Sequence, residues 1–455
     1  MNNINDKTKS KSKNYTNSYP RLVALSFLVL ILLGALLLML PISVKNGSVS
    51  FLDALFTATS ASCVTGLVIF DTFTKWTLFG QLVILCLIQI GGLGFITIIT
   101  LFSRFVKKRF SVHEKILLRE SLGSIYTGST KGLVRVVVGG TAMFELLGAV
   151  ILSTQFIPQM GVKNGIYTSV FLSVSAFCNA GFDVMGRISA GSSLMSVNNN
   201  PIIILTVALL IIVGGIGFLV WDDIVSSRFK AKKYSVHTKL VLVTTAILLV
   251  IGTAFFMIFE YSNTLDSMPI WQKILNSFFA STTARTAGFN SVSNASLSAP
   301  SRMITDILML IGGSSGSTAG GIKTTTIAVM FLCVISTLRK KRDVEIFGKR
   351  ISSDDMRKAA AIVFINIAQI ITGATVIIIS QPKLALSDVL FECFSAMGTV
   401  GMTTGITPTL EIIPKIVIML MMFIGRLTSL VFAFTLFFGN KHSSAQKPRG
   451  NLLIG

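Results

Sequence analysis

"FECFSAMGTVG" at residues 391–401 decides the fold, because the chain carries the same pattern four times. "FTATSASCVTG" (56–66), "FLSVSAFCNAG" (171–181) and "FFASTTARTAG" (278–288) align with it on the closing glycine. Each has a Phe ten positions before that glycine: Phe56, Phe171, Phe278 and Phe391. Each has a hydroxyl residue six positions before it: Ser60, Ser175, Thr282 and Ser395. A bulky apolar residue always follows: Leu67, Phe182, Phe289 and Met402. A second landmark recurs at similar spacing, as "IGGLGF" (90–95), "VGGIGF" (213–218), "IGGSSG" (311–316) and "IGRLTS" (424–429). A third echo pairs "FSVHEKILL" (110–118) with "YSVHTKLVL" (234–242). Three landmarks in one order mark four related units.

The surroundings of these units are membrane-like. Of 455 residues, 52% are hydrophobic and 13% charged, with a mean hydropathy of +0.75. A soluble domain carries about twice that share of charge. The segments 22–40, 78–102, 201–221 and 240–259 hold no charged residue, and each is about as long as one membrane helix, roughly 17–25 residues. The run 22–40 exceeds a signal-peptide core and no small-x-small site follows it, so it reads as a retained first span. The chain is therefore expected to be an all-α polytopic membrane protein.

Forty Lys and Arg against nineteen Asp and Glu give a net charge of +21. The excess gathers in the N-terminal tail, "SRFVKKRF" (103–110), "SRFKAKK" (227–233), "LRKKRDVEIFGKR" (338–350) and "KHSSAQKPR" (441–449). Cationic loops stay cytoplasmic, so both termini are expected in the cytosol of a multi-pass plasma-membrane protein. Such charge suits lipid headgroups or a regulatory partner; no separate soluble domain carries it toward nucleic acid. Cys63, Cys86, Cys178, Cys333 and Cys393 lack paired spacing, and His113, His237 and His442 lie in cytosolic flanks. Neither a metal site nor a bound cofactor is expected, and no enzyme chemistry.

Each unit reads as an apolar span, a short amphipathic segment ending at the glycine, and a second apolar span. The first spans fall at about 22–42, 132–157, 239–260 and 358–380, the second at about 77–102, 201–225, 303–337 and 411–438. The middle segment is too short to cross, and a loop at membrane depth is tolerated only where protein buries it or water lines it. The expectation is four parallel helix–pore loop–helix repeats, with eight transmembrane helices and four re-entrant half-helices, around a central ion pore. They would occupy 21–111, 112–235, 236–343 and 344–440, between cytosolic tails 1–20 and 441–455.

The loops hold Val64-Thr65-Gly66, Asn179-Ala180-Gly181, Thr286-Ala287-Gly288 and Thr399-Val400-Gly401, without Asp or Glu. A cation held there must take backbone carbonyls as ligands, and glycine permits the required turn. Half-helices aiming their negative ends at the axis favour a cation, and an easily dehydrated one such as K⁺ fits carbonyls better than a divalent ion.

These residues resemble the Trk/Ktr/HKT superfamily of potassium transporters over nearly the whole chain, about 21 to 440. "SAFCNAGF", "ARTAGF" and "GTVGMTTG" carry the resemblance. Because the first apolar span opens the first repeat directly, the chain looks like the Ktr type, a KtrB-like membrane subunit. The resemblance implies K⁺ uptake, with Na⁺ as a possible activator. It also implies a homodimer on a KtrA-like cytosolic ring of nucleotide-binding regulatory subunits. In plant members a serine can replace the first filter glycine and admit Na⁺; Gly66 keeps the K⁺ pattern.

"IGGSSGSTAGGIKTTT" (311–326) places Gly312, Gly313, Gly316, Gly320 and Gly321 where a continuous helix would run. Glycine costs about 1 kcal/mol relative to alanine in a helix, so a mid-membrane loop is expected. By resemblance, 312–326 with Lys323 is a gating loop under the filter. Glu145, Asp306, Lys323, Lys415 and Arg426 are the charges inside spans. Asp306 and Lys415 lie where snorkelling would serve them. Arg426 either faces the pathway as a barrier to cations or pairs with Glu145. Arg285 is expected to tie down the third loop. The rival reading, a secondary solute or sodium transporter with broken helices, normally calls for inverted repeats.

Overall fold

The computed structural model describes residues 19–94, 130–341 and 343–427. The basic stretch 103–110, the echo at 110–118, both tails and the far ends of spans 77–102 and 411–438 lie outside the described residues, as does the boundary at 111/112.

Among the described residues the fold is helical, apart from a small hairpin of β1 (Glu345–Ile346) and β2 (Lys349–Arg350). The first quarter runs α1 (Tyr19–Met39), α2 (Phe51–Ser62) and α3 (Leu78–Leu93). The second runs α4 (Thr130–Met160), α5 (Val162–Cys178), α6 (Pro201–Ile216) and α7 (Phe218–Ser226). α8 (Val236–Glu260), α9 (Ile270–Thr283), α10 (Ala299–Leu310) and α11 (Thr324–Leu338) form the third. α12 (Ser353–Ser380), α13 (Leu386–Gly398) and α14 (Ile412–Leu427) complete the fourth.

Three described helices are long and apolar enough to span a bilayer by themselves: Val136–Met160, Val236–Glu260 and Ser353–Ser380. Their outward faces expose Leu146, Val150, Val250, Ile258, Phe364 and Ile379. Such apolar exteriors belong in lipid, where a helix satisfies its own backbone. Sequence-local caps start many helices: Ser50, Thr77, Ser235 and Ser352 each accept a backbone N–H in the first turn, and Asn200 accepts two ahead of Pro201.

The middle helices α2, α5, α9 and α13 have 12, 17, 14 and 13 residues. At 1.5 Å per residue they reach roughly 18–26 Å, short of the hydrocarbon core of about 30 Å. Their C-terminal halves are buried in every case, so all four end inside the protein. Phe56, Phe171 and Phe391 are wholly buried, which accounts for the repeated phenylalanine at three of its four positions.

Two second spans depart from a straight rod. The stretch 201–225 bends by 87° between α6 and α7, pivoting on Gly217 at φ 103. Gly94, its counterpart in "IGGLGF", ends α3 at φ 79. Glycine adopts this conformation without strain, so Gly217 can form the corner. The third second span stops at Leu310 and resumes at Thr324, with a connecting loop folded back so that Ile311 and Ile322 bridge in parallel.

Candidate functional site

The four closing glycines meet. A methyl group built on Gly66 would stand 2.5 Å from the Ala180 carbonyl oxygen, and one on Gly181 would stand 2.8 Å from that of Ala287. One on Gly288 would run into the Val400 carbonyl, and one on Gly401 into that of Thr65. Each glycine therefore rests against the carbonyl preceding the next quarter's glycine, in the order one, two, three, four, one. Only glycine fits so close an approach at φ values of 94, 69, 80 and 90.

The residues two positions earlier are also left-handed: Val64 at φ 57, Asn179 at 59, Thr286 at 75 and Thr399 at 51. Three are β-branched, for which this conformation is a strained outlier. Hydrogen bonds at the helix ends impose it. Thr65 N donates to Ser60 O, Ala180 N to Ser175 O and Val400 N to Ser395 O, each at 2.8 Å. In the third quarter Ala287 N donates to Thr283 O at 3.0 Å instead, and Thr283 Oγ1 reaches Phe289 O at 2.7 Å. Ser60 Oγ accepts from Gly66 N and Ser395 Oγ from Gly401 N, both at 3.0 Å. The repeated hydroxyl thus pins its glycine in quarters one and four only. With its amide oriented to suit its neighbours, Asn179 donates to Ile211 O and Ala176 O and accepts from Thr286 Oγ1 at 3.3 Å, joining loops two and three.

The second landmark has a related cause. A methyl on Gly91 would strike Ser62 O, on Gly214 Phe177 O, and on Gly425 Met397 O. These glycines let the second span touch the last carbonyls of the short helix it follows. Gly312 breaks the series and lies against Gly320 O instead.

On the side of the ring toward the α6–α7 corner, the loop 311–323 packs under the short-helix ends. Ser314 N donates to Gly215 O at 3.0 Å, Phe218 N to Gly316 O at 2.8 Å, and Thr318 Oγ1 to Phe177 O at 3.2 Å. Gly320 leaves room for the Thr399 side chain, and Gly321 abuts Gly398 O. Gly313 faces Ala319 and Gly215 O. Lys323 Nζ closes the loop on itself through Ala319 O at 2.8 Å. Arg426 donates to Thr318 O on this loop and to Gly91 O and Gly92 O of α3. It does not pair with Glu145, which accepts from Gln89 at 3.2 Å. Carbonyl acceptors of two different quarters converge on the guanidinium, so Arg426 clamps the loop.

Opposite the loop, a cavity of about 240 Å³ is lined by all four glycines together with Asp71, Asp183, Ser193, Asn290 and Thr403. Asp71 accepts from Gly191 N and Thr74 N, and Asp183 from Met185 N at 2.9 Å. Burial, opposed by that hydrogen bond and reinforced by Asp71, pushes the Asp183 carboxyl up to about 6. These two acids were not singled out in the sequence, because loop carboxylates carry no periodic signal.

Of the other charges, Lys415 is salt-bridged to Asp53 at 2.8 Å, with both side chains largely buried, rather than snorkelling. Asp306 lines a separate cavity with Arg302, whose guanidinium bonds Asp388 at 3.1 Å. Arg285 is 8% exposed and lines a small pocket with Thr282 and Gly313, between the third loop and the loop 311–323.

Comparison with known proteins follows the same outline. Residues 4–446 match the TrkH family, described as a cation transport protein. The chain is 41% identical to the Ktr system potassium uptake protein B of Bacillus subtilis, over 96% of each chain. It is 39% identical to the potassium/sodium uptake protein NtpJ of Enterococcus hirae, over 96% of this chain and 97% of that one. The crystal structure of the potassium transporter TrkH from Vibrio parahaemolyticus shares the fold, with a TM-score of 0.72 and 15% identity over 92% of this chain and 85% of that chain.

Proposed function

We infer that this chain, which belongs to the TrkH family of cation transport proteins, is a membrane subunit for potassium uptake. The observation that carries the reading is the ring in which Gly66, Gly181, Gly288 and Gly401 each rest on the next loop's carbonyl. Four short helices end there, so their partial negative charges favour a cation. Carbonyls from Val64-Thr65-Gly66, Asn179-Ala180-Gly181, Thr286-Ala287-Gly288 and Thr399-Val400-Gly401 replace the ion's water, a chemistry suited to K⁺. The cavity bearing Asp71 and Asp183 collects cations outside the ring. The loop 311–323, clamped by Arg426 and closed by Lys323, gates the inner side, with 324–326 of the expected gating segment already in α11.

In this reading the four quarters are parallel repeats about one axis and both termini are cytosolic in the plasma membrane. The protein works as a homodimer on a cytosolic ring of nucleotide-binding regulatory subunits. Na⁺ acts as an activating ion, a role kept in view by the name of the potassium/sodium uptake relative. Expression in cells stripped of their own K⁺ uptake tests the proposal. Growth at low external K⁺ is the expected outcome; no rescue, even with a regulatory subunit supplied, would overturn it.

A further inference from the structure

The four loops are not braced alike, and the fourth has a support the others lack. Nine positions before the closing glycine the quarters carry Thr57, Leu172, Phe279 and Glu392. All four are buried, and Glu392 is 1% exposed. A carboxyl group in such a place is costly unless its oxygens are satisfied. Among the described residues no salt bridge reaches it. Its partners are hydroxyls on the chain leaving the ring. Thr403 Oγ1 donates to Oε1, and Thr407 Oγ1 lies 3.1 Å from both oxygens. Thr403 is fixed from two further directions: its hydroxyl accepts from Gly405 N at 2.9 Å, and its carbonyl accepts from Asn294 Nδ2 of the third quarter at 3.2 Å.

Thr403 lies two residues beyond Gly401 and lines the outer cavity. We propose that Glu392 is a positioning residue that holds the outgoing limb of the fourth loop, residues 402–407, and through it the seating of Gly401 against Thr65 O and of Gly288 against Val400 O. This rests on the filter reading above and adds a specificity-determining residue that touches no ion. Without the carboxyl oxygens, the buried Thr407 hydroxyl and the half-buried Thr403 hydroxyl keep only each other, at 3.0 Å, and lose the acceptor that ties them to α13. The limb is then free to shift at the point where quarters three, four and one meet.

The test compares Glu392→Leu, Glu392→Gln and Thr407→Val with the unaltered chain in K⁺ uptake by cells lacking their own systems. Protein in the membrane is measured in parallel, and Na⁺ is present as competitor. Leucine is the residue that the second quarter already places at this position. For Glu392→Leu the expected result is a K⁺ half-saturation raised by about tenfold with a matching loss of preference over Na⁺, the ratio set by one buried charge-assisted hydrogen bond. Maximal uptake per molecule should fall less. Thr407→Val should shift both in the same direction, and Glu392→Gln, which keeps an acceptor oxygen, should restore most of the preference. Unchanged half-saturation and preference in Glu392→Leu overturn the inference. So does a loss confined to maximal rate that follows protein amount. If Glu392→Leu does not reach the membrane, Thr407→Val, which keeps the carboxyl group, decides. An unaltered chain that takes up no K⁺ defeats the filter reading and this inference with it, whereas uptake with indifferent variants defeats this inference alone.

Discussion

Gly401→Ala and Gly405→Ala, made separately, isolate the energy of the ring. Both glycines have positive φ, 90 and 102. A side chain in the left-handed region costs roughly 1–2 kcal/mol at either position. Their surroundings differ. A methyl on Gly405 meets nothing within 4 Å, while one on Gly401 strikes Thr65 O and lies 2.8 Å from Gly66 Cα. Backbone atoms cannot rotate aside as a flexible side chain would, so the ring must open or the fourth loop retreat. Overpacking of this kind adds about 1–3 kcal/mol. Gly401→Ala should therefore exceed Gly405→Ala in effect by about 5–150-fold in K⁺ half-saturation, the ratio that 1–3 kcal/mol represents. The assay is tracer uptake against competing Na⁺, normalised to protein in the membrane. Two variants with equal kinetics, or a Gly401→Ala chain that keeps its K⁺ preference, would refute the reasoning.

Three further outcomes follow from the same geometry. Arg426→Gln removes the charge that gathers Thr318 O, Gly91 O and Gly92 O; charge-assisted bonds contribute about 1.5–3 kcal/mol each, so K⁺ flux without a regulatory subunit should rise, and an unaltered flux would exclude the clamp. Asp183, held up to about 6 chiefly by burial, stays ionised above that pH and is neutralised as pH falls through it. K⁺ half-saturation should climb below about pH 6, and Asp183→Asn should flatten that limb; an identical profile in the variant would remove Asp183 from the capture of cations. Gly91→Ala should lower thermal stability in detergent by about 1–3 kcal/mol, because the methyl meets Ser62 O, and an unchanged melting curve would show that α3 can back away.

The sequence repeat exposed the placement of the glycines because a close backbone approach admits one residue type, which leaves a mark at fixed spacing. The glycine-rich interruption, expected over 312–326, was legible for the related reason that five glycines cannot stay helical, though α11 already begins at Thr324. The left-handed turn at Val64, Thr286 and Thr399 was not. Its cause is a set of backbone hydrogen bonds at the helix ends, and the residues themselves favour extended chain. The corner at Gly217 was not legible either, because 201–225 reads as one continuous apolar span until the loop that fills the corner is seen. Lys415 and Asp53 are 362 residues apart, and Arg426 takes carbonyls as partners, so no spacing rule reaches either. Glu392 lies in a short amphipathic segment, whose pattern does not set one polar residue apart from another.

A ring made by one chain differs in its history from a ring made by four copies. In four copies every substitution appears four times, so a change that moves a carbonyl slightly is quadrupled before selection sees it. Here Val64, Asn179, Thr286 and Thr399 hold equivalent left-handed positions with three different side chains, and each was free to change alone. If the ring is the filter proposed above, ion preference in such a protein is adjustable in quarter-sized steps, with a single loop retuned while the other three keep the pathway working.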